Sequence, residues 1–440
     1  MLPQDTYCAD FAHRRGERTI RAALIFCYLL VCLASLLLAL HYSAHRLSYQ
    51  SDRLSHALYS LIPLCAVASS FLFARFSFGY LAGFYLYTVA FGFIFLSWFT
   101  SFEFNYTIAR ISAIASTVAF LIPALGLSAP LRWRLRISPK MFEQLLDVML
   151  VVSAITIVVG ATYNFRLVGL DRIHDFRSTL KFPTPVGYLI GTVSSTVLPY
   201  LFAIFLIQWR PWRIGLTVLL LSLFYPITLT KMAFFSPIWL VALAILSRFV
   251  EARTTVILSL FLPLLAGIIL LALFHEQAQT YFDVVNFRMI AVPSNALNAY
   301  NDYFAHHRVT HFCQISFLNR LLACPPSEPL SVIMENTYKL GFFNASLLAT
   351  EGVASVGPAV APAAVFACGL VISLGNCTSH GLPPRLILLS SAVVAQYLLN
   401  VPLTTVMLTH GAGLLFAFWY LTPRDRLQAE ASNNTHAIAG

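Results

Sequence analysis

Charge is the scarce commodity in this sequence. Only 10% of its 440 residues are Asp, Glu, Lys or Arg, while 58% are hydrophobic, 14% are aromatic and the mean hydropathy is +0.76. An ordinary soluble domain carries roughly 25% charged and about 45–50% apolar residues. The composition therefore excludes a soluble protein and points to one that crosses a bilayer many times. Several motifs are missing as well. There is no GxxxxGK[ST] phosphate loop, no GxGxxG after a strand and no GxSxG elbow, so ATP-driven transport and serine hydrolysis lose their main supports. No internal repeat, low-complexity tract or soluble linker interrupts the chain.

What is present is a series of apolar runs between charges. A hydrocarbon core about 30 Å thick takes roughly 20 apolar residues per helical crossing, and helices satisfy their own backbone groups there. The runs fall near 22–40, 56–74, 77–99, 111–128, 145–163, 187–208, 214–230, 232–249, 256–274, 354–375, 386–402 and 406–421. They predict an all-α polytopic transmembrane helix bundle of about twelve helices, a single integral membrane domain over 1–426. Arg14, Arg15, Arg18 and Arg21 precede the first run, which is too long for the core of a cleavable signal peptide. It reads as an uncleaved first helix. Residues 427–440 read as a disordered polar tail.

More than half of the 28 basic residues fall on the side of the N-terminus, which the positive-inside rule makes cytoplasmic, with the C-terminus on the same side. Two outer loops stand apart, 164–186 and 275–352. The net charge of +10 belongs to juxtamembrane clusters suited to anionic membrane lipids, and no nucleic-acid partner is expected.

Loop 164–186 presents Arg166, Asp171, Arg172, His174, Asp175, Arg177 and Lys181. Any one of these fits a solvated connector. As a group the cations suit a phosphate-bearing ligand, which guanidinium forks hold in bidentate fashion. In the larger loop, Pro293-Ser294-Asn295 is a helix-start signal, and Leu297, Tyr300 and Phe304 recur at helical spacing. An amphipathic helix is predicted over about 295–307, lying on the membrane surface or capping the bundle, with Asn298, Asn301 and Asp302 toward water or substrate. Arg288 comes shortly before it. His307 and His311 have metal-ligand spacing but no accompanying HExxH motif, so no metal is assigned. Cys313 and Cys324 share this loop, where an oxidising compartment allows a disulfide. Asn344 reads as a helix cap, and Glu351 lies at the outer mouth of the tenth run, where an acid is a functional candidate.

Three stretches carry a family resemblance. FRSTLKFPTPVGYLIG (176–191) resembles the arginine-containing outer segment of O-antigen polymerases and ligases, although nine residues separate Arg177 from Gly187 where some Wzy-type polymerases have ten. RMIAVPSNALNAYNDYF (288–304) and NASLLATEGVASVG (344–357) are similar to the arginine-proline-aromatic and Asn-acid-Gly segments of oligosaccharide repeat-unit polymerases. The resemblance implies glycan transfer from an undecaprenyl-diphosphate carrier at the periplasmic face of the bacterial inner membrane, with no cofactor. Flippase and chain-length-regulator partners follow from it. Glycosyl transfer leaves a diphosphate whose growing negative charge needs fixed cations. Arg177 and Arg288 are the expected diphosphate clamps, with Arg172 and Arg166 as helpers. Glu351, Asp302 and His311, in that order, are candidates to take the acceptor's proton, and Asn344 and Tyr300 to contact the glycan. The alternatives are an O-antigen ligase acting on a lipid A core and a lipid-linked oligosaccharide transporter.

Overall fold

The computed structural model describes residues 4–42, 46–131, 137–169, 172, 173, 176, 180–321, 323, 324, 328–340 and 344–424. Among them the regular structure is helical, with one isolated antiparallel bridge between Leu47 and Thr100. Ten helices are long and apolar enough to cross a membrane, and the shorter apolar helices Pro384–Leu398 and Ala412–Leu421 add two. The chain is an all-α polytopic bundle. The predicted tail, 427–440, lies outside the described residues.

Two predicted runs are not continuous helices. Ser51–Ser60, Ile62–Ala68 and Ser70–Phe73 replace the second. The Ser60 and Ser69 hydroxyls there donate to the carbonyls of Ala57 and Ala66, a local bonding pattern that bends helices. The twelfth breaks between Leu403–Leu408 and Ala412–Leu421 at Gly411, whose φ of 75° is one that glycine adopts without strain.

Contacts gather the chain into two compact units interleaved along the sequence. The first comprises Met1–Arg75, Gly83–Gly126 and Arg253–Gly369, and the second Phe76–Ala82, Leu127–Ala252 and Leu370–Gly440.

The first unit is organised around residues 83–96 of the helix Phe78–Leu96, which is apolar on every side and buried along its length. Its aromatic hydroxyls find partners inside. Tyr87 donates to the Leu64 carbonyl at 3.0 Å and Tyr85 pairs with Ser259 at 3.0 Å. Thr88 pairs with Tyr28 at 2.6 Å.

The helix Ala252–Phe274 ends at His275, in the left-handed region with φ 47°. The chain then continues as helix to His306, through the π-helical segment Asp283–Ala291 and the α-helix Val292–His306. Asn286 Nδ2 donates to Ser35 Oγ at 2.9 Å and to the Leu264 carbonyl at 2.7 Å, and Ser294 Oγ donates to the Val89 carbonyl at 3.1 Å. A Cβ has no room at Gly267 under Asn286 or at Gly92 under Ser294. These contacts fall at or a little beyond the middle of the first, third and ninth crossings, so this cap segment is inserted among them.

Three sequence expectations are corrected by this arrangement. Pro293 does not start the helix, which is already under way before it. The residue four before Pro293 is Met289, and the wider π turn there moves its carbonyl away from the pyrrolidine ring. Asn298 and Asn301 do not face water, being 0% and 5% exposed. Loop 275–352 is, over its first part, part of the bundle. The pair Cys313–Cys324 is a disulfide, with Cα atoms 5.9 Å apart.

In the second unit, Glu143 and Asp147 form ion pairs with Arg210 at 2.8 Å and Arg213 at 2.9 Å. Asn164 Nδ2 donates to the carbonyls of Pro226 and Ile227, both at 2.9 Å, which docks the start of loop 164–186 onto the helix Pro211–Thr228.

Candidate functional site

In the first unit the cap helix Val292–His306 packs against a second π-helical segment, Leu348–Ala354, which carries Glu351. The seam is polar. Here Ser346, Thr350, Glu351 and Ser355 are buried, as are Ser294, Asn295, Asn298 and Asn301 of the cap helix. Ser294 bonds to Val89, and Asn298 and Asn301 share its helix face, so that row lies toward the helix Phe78–Leu96. Glu351 is 3% exposed in an otherwise apolar setting, and a carboxylate is held in such a place only by specific partners. The Thr350 hydroxyl, 3.1 Å from the Ser346 carbonyl, donates to Glu351 Oε2 at 2.5 Å. Tyr300, 1% exposed, and Cys368 lie within electrostatic reach of the same carboxylate. Gly352 sits against Val365 and Ala361, and Gly357, with φ 77°, turns the chain into the helix Ala361–Ser379.

Asn298 Nδ2 donates to Asn295 Oδ1 at 3.2 Å. Asn298 Oδ1 and Ser346 Oγ are buried without a partner, as is Asn286 Oδ1 on the preceding π-helical segment, and unsatisfied buried groups are costly.

A strap, residues 309–315, closes one side. The N–H groups of Thr310 and His311 donate to the carbonyls of Ala354 and Ser355 at 2.8 and 3.0 Å. Gln314 Nε2 donates to the Thr350 carbonyl at 3.2 Å and to Ser355 Oγ at 2.6 Å. The disulfide staples the strap to the following segment.

The other sequence candidates are placed as follows. Arg288 is exposed on the π-helical segment Asp283–Ala291, in the same unit as Glu351. Both oxygens of Asp302 are engaged, Oδ1 by the Glu103 N–H at 2.6 Å and Oδ2 by the Tyr338 hydroxyl at 2.5 Å. Burial and the Asp302 carboxylate raise the Tyr338 phenol well above its usual range, so it remains a donor at any physiological pH. Asp302 is thereby a clamp holding loop to cap. His311 is exposed with φ 47° and is tied to the seam through its backbone. His307 stacks on Tyr303, ring centroids 3.9 Å apart, beyond the end of the cap helix. Asn344 is exposed, three residues ahead of Leu347, which occupies the cap position of the π segment.

Arg166 and Arg172 are exposed and belong to the second unit, where Arg166 lies over the Phe176 ring at 5.9 Å. Arg177 lies outside the described residues, as do Asp171, His174 and Asp175.

Residue types alone did not single out Gln314, Thr350, Ser346 or the inward Asn row. The row was legible as spacing, since Ser294, Asn298 and Asn301 recur at i, i+4 and i+7. Also unsingled were Arg46, Arg53 and Arg110, which the fold gathers beside Asp302. No family model, curated protein or solved structure matches the chain.

Proposed function

We propose that this chain is a glycosyltransferase of the outer face of the bacterial inner membrane, polymerising undecaprenyl-diphosphate-linked oligosaccharide repeat units into a surface polysaccharide. One observation carries the reading. Arg288 and Glu351, a cation and an acid suited to the chemistry, both lie on π-helical segments of one unit; the first segment runs directly into the cap helix and the second packs against it. Such widened turns are frequent at functional sites.

The chemistry assigns each group a task. The bond from the donor sugar's anomeric carbon to the diphosphate oxygen breaks, and a new bond forms from that carbon to an acceptor hydroxyl. The departing polyprenyl diphosphate gains negative charge, which the exposed Arg288 guanidinium stabilises. Glu351 receives the acceptor's proton as the new bond forms. Thr350 fixes one of its oxygens. The undecaprenyl carrier reaches the site within the bilayer, and flippase and chain-length-regulating proteins are the expected partners.

The test is deletion of the gene followed by gel analysis of surface glycan. A single-repeat product supports polymerisation. Accumulated full-length lipid-linked polymer assigns the chain as a ligase, and an unchanged pattern overturns glycan transfer altogether.

A further inference from the structure

Away from the Glu351 seam, the first unit gathers cations on a tryptophan. Arg110 stacks over the Trp98 ring, its guanidinium carbon 3.7 Å from the centroid, while its Nε and Nη2 donate to Ser97 Oγ at 2.7 Å and the Ser97 carbonyl at 3.0 Å. Arg53 Nη1 donates to the Trp98 carbonyl at 3.1 Å, and the His56 ring stacks on Trp98 at 5.5 Å. Arg53 lies within electrostatic reach of Arg110, and neither forms an ion pair among the described residues. The nearby acids are spent or solvated. Asp302 is engaged by Tyr338 and the Glu103 backbone, and the Glu103 side chain is exposed. Tyr106 lies within reach of both arginines, and Arg46 lies over Phe102 and Tyr338 at 5.3 and 5.1 Å.

Arg110 on the Trp98 ring and Arg53 on the Trp98 carbonyl lie within electrostatic reach of each other and outside any ion pair among the described residues, and two such guanidinium groups repel unless an anion joins them. Guanidinium forks match phosphate, and aromatic faces beside them suit sugar rings. Repeat-unit polymerisation, the reading on which this inference rests, requires two lipid-linked substrates at once. Arg288 and Asp302 are fourteen residues apart on one helical stretch, about 20 Å at the usual helical rise. The two arginine sites thus sit toward opposite ends of the cap, with the seam between them.

We infer that Arg53 and Arg110, gathered on Trp98, form a second subsite for a lipid diphosphate, the headgroup of the acceptor substrate. An ordinary anionic phospholipid headgroup shares the phosphate chemistry, and the experiment separates the two. The full-length chain in phosphatidylcholine nanodiscs is titrated with undecaprenyl diphosphate, and bound molecules are counted by native mass spectrometry. The expected result is two per chain. Arg53→Ala, an exposed change, and Arg110→Lys, which keeps the charge, each weaken one of the two by about tenfold. Arg288→Ala weakens the other, and circular dichroism verifies that each variant is folded. One bound molecule, sensitive to Arg288→Ala and indifferent to Arg53→Ala and Arg110→Lys, overturns the second subsite and leaves the proposed function standing. Equal displacement by phosphatidylglycerol overturns the inference in favour of a general headgroup site. No binding of undecaprenyl diphosphate by the unaltered chain overturns both readings.

Discussion

Widened helical turns occur in both units, and they differ in what they hold. In the second unit, Val193–Val197 lies just before Pro199 and itself carries no ionisable residue: Thr196 Oγ1 donates to the His410 carbonyl at 2.7 Å, Thr192 Oγ1 donates to the Thr409 carbonyl at 3.2 Å, and Ser195 Oγ pairs with His410 Nδ1 at 3.3 Å. In the first, Asp283–Ala291 likewise precedes a proline, Pro293, but exposes Arg288. Leu348–Ala354 ends four residues before Pro358 and buries Glu351. Proline removes a backbone donor and crowds the carbonyl four residues earlier, which is that of Ser195, Met289 and Ala354 in turn and accounts for widening in all three. In the third the strap also takes part, since its N–H and side-chain groups bond to the carbonyls of Thr350, Ala354 and Ser355. A π turn is therefore not a site in itself, and the ionisable residue placed on it makes the difference.

The largest effect expected from that difference is at Glu351. Glu351→Gln keeps the size and the contact with Thr350 but cannot accept a proton, so chain extension should fall by roughly 10²–10⁴-fold, the usual scale of a positioned base. Ser195→Ala, in the second unit's widened turn, should leave the glycan length distribution unchanged. Equal effects from the two substitutions would erase the contrast between the segments. Arg288→Ala follows, with a loss on the order of 10²-fold, as when one stabilising donor to a developing anion is removed. Arg288→Lys should recover part of it, because the charge remains while the bidentate fork is lost. A wild-type length distribution in Arg288→Ala cells containing normal amounts of protein would remove the arginine from the mechanism.

The sequence made the bundle legible because apolar runs of bilayer length have few other uses. It made the cap only half legible. Leu297, Tyr300 and Phe304 gave the correct helix type, and all three are buried. Their spacing could not show that Asn298 and Asn301 are buried too, because an amphipathic pattern assumes water on the polar side, whereas here the face they share with Ser294 lies toward the helix Phe78–Leu96. Pro293 misled for a related reason, since a helix-start signal and a π turn preceding a proline look alike in one dimension. Arg46, Arg53 and Arg110 escaped notice as a group because they come from separate short connections that only folding brings together.

The docking of the cap gives a structural test at a position remote from charge. Gly92 lies directly under Ser294, and a Cβ there would collide with both its Oγ and its Cβ. Gly92→Ala should lift the cap at a cost of about 1–3 kcal/mol, the range for overpacking a tight interior. It should reduce chain extension although no proposed reacting group is touched. Unchanged thermal unfolding in detergent would mean that the cap is not seated on the helix Phe78–Leu96 as described.

The smallest expected effect separates two buried asparagines. Asn286 Nδ2 makes two hydrogen bonds, to Ser35 and Leu264, and its side chain rests on Gly267. Asn298 makes one, to Asn295, and in both residues Oδ1 is buried without a donor. Replacing either by leucine removes one unsatisfied acceptor, so the difference lies in the bonds lost, and Asn286→Leu should cost about 1 kcal/mol more than Asn298→Leu. Thermal unfolding that shows the two variants equally destabilised would mean that the Ser35 and Leu264 bonds of Asn286 add nothing to the seating of the segment.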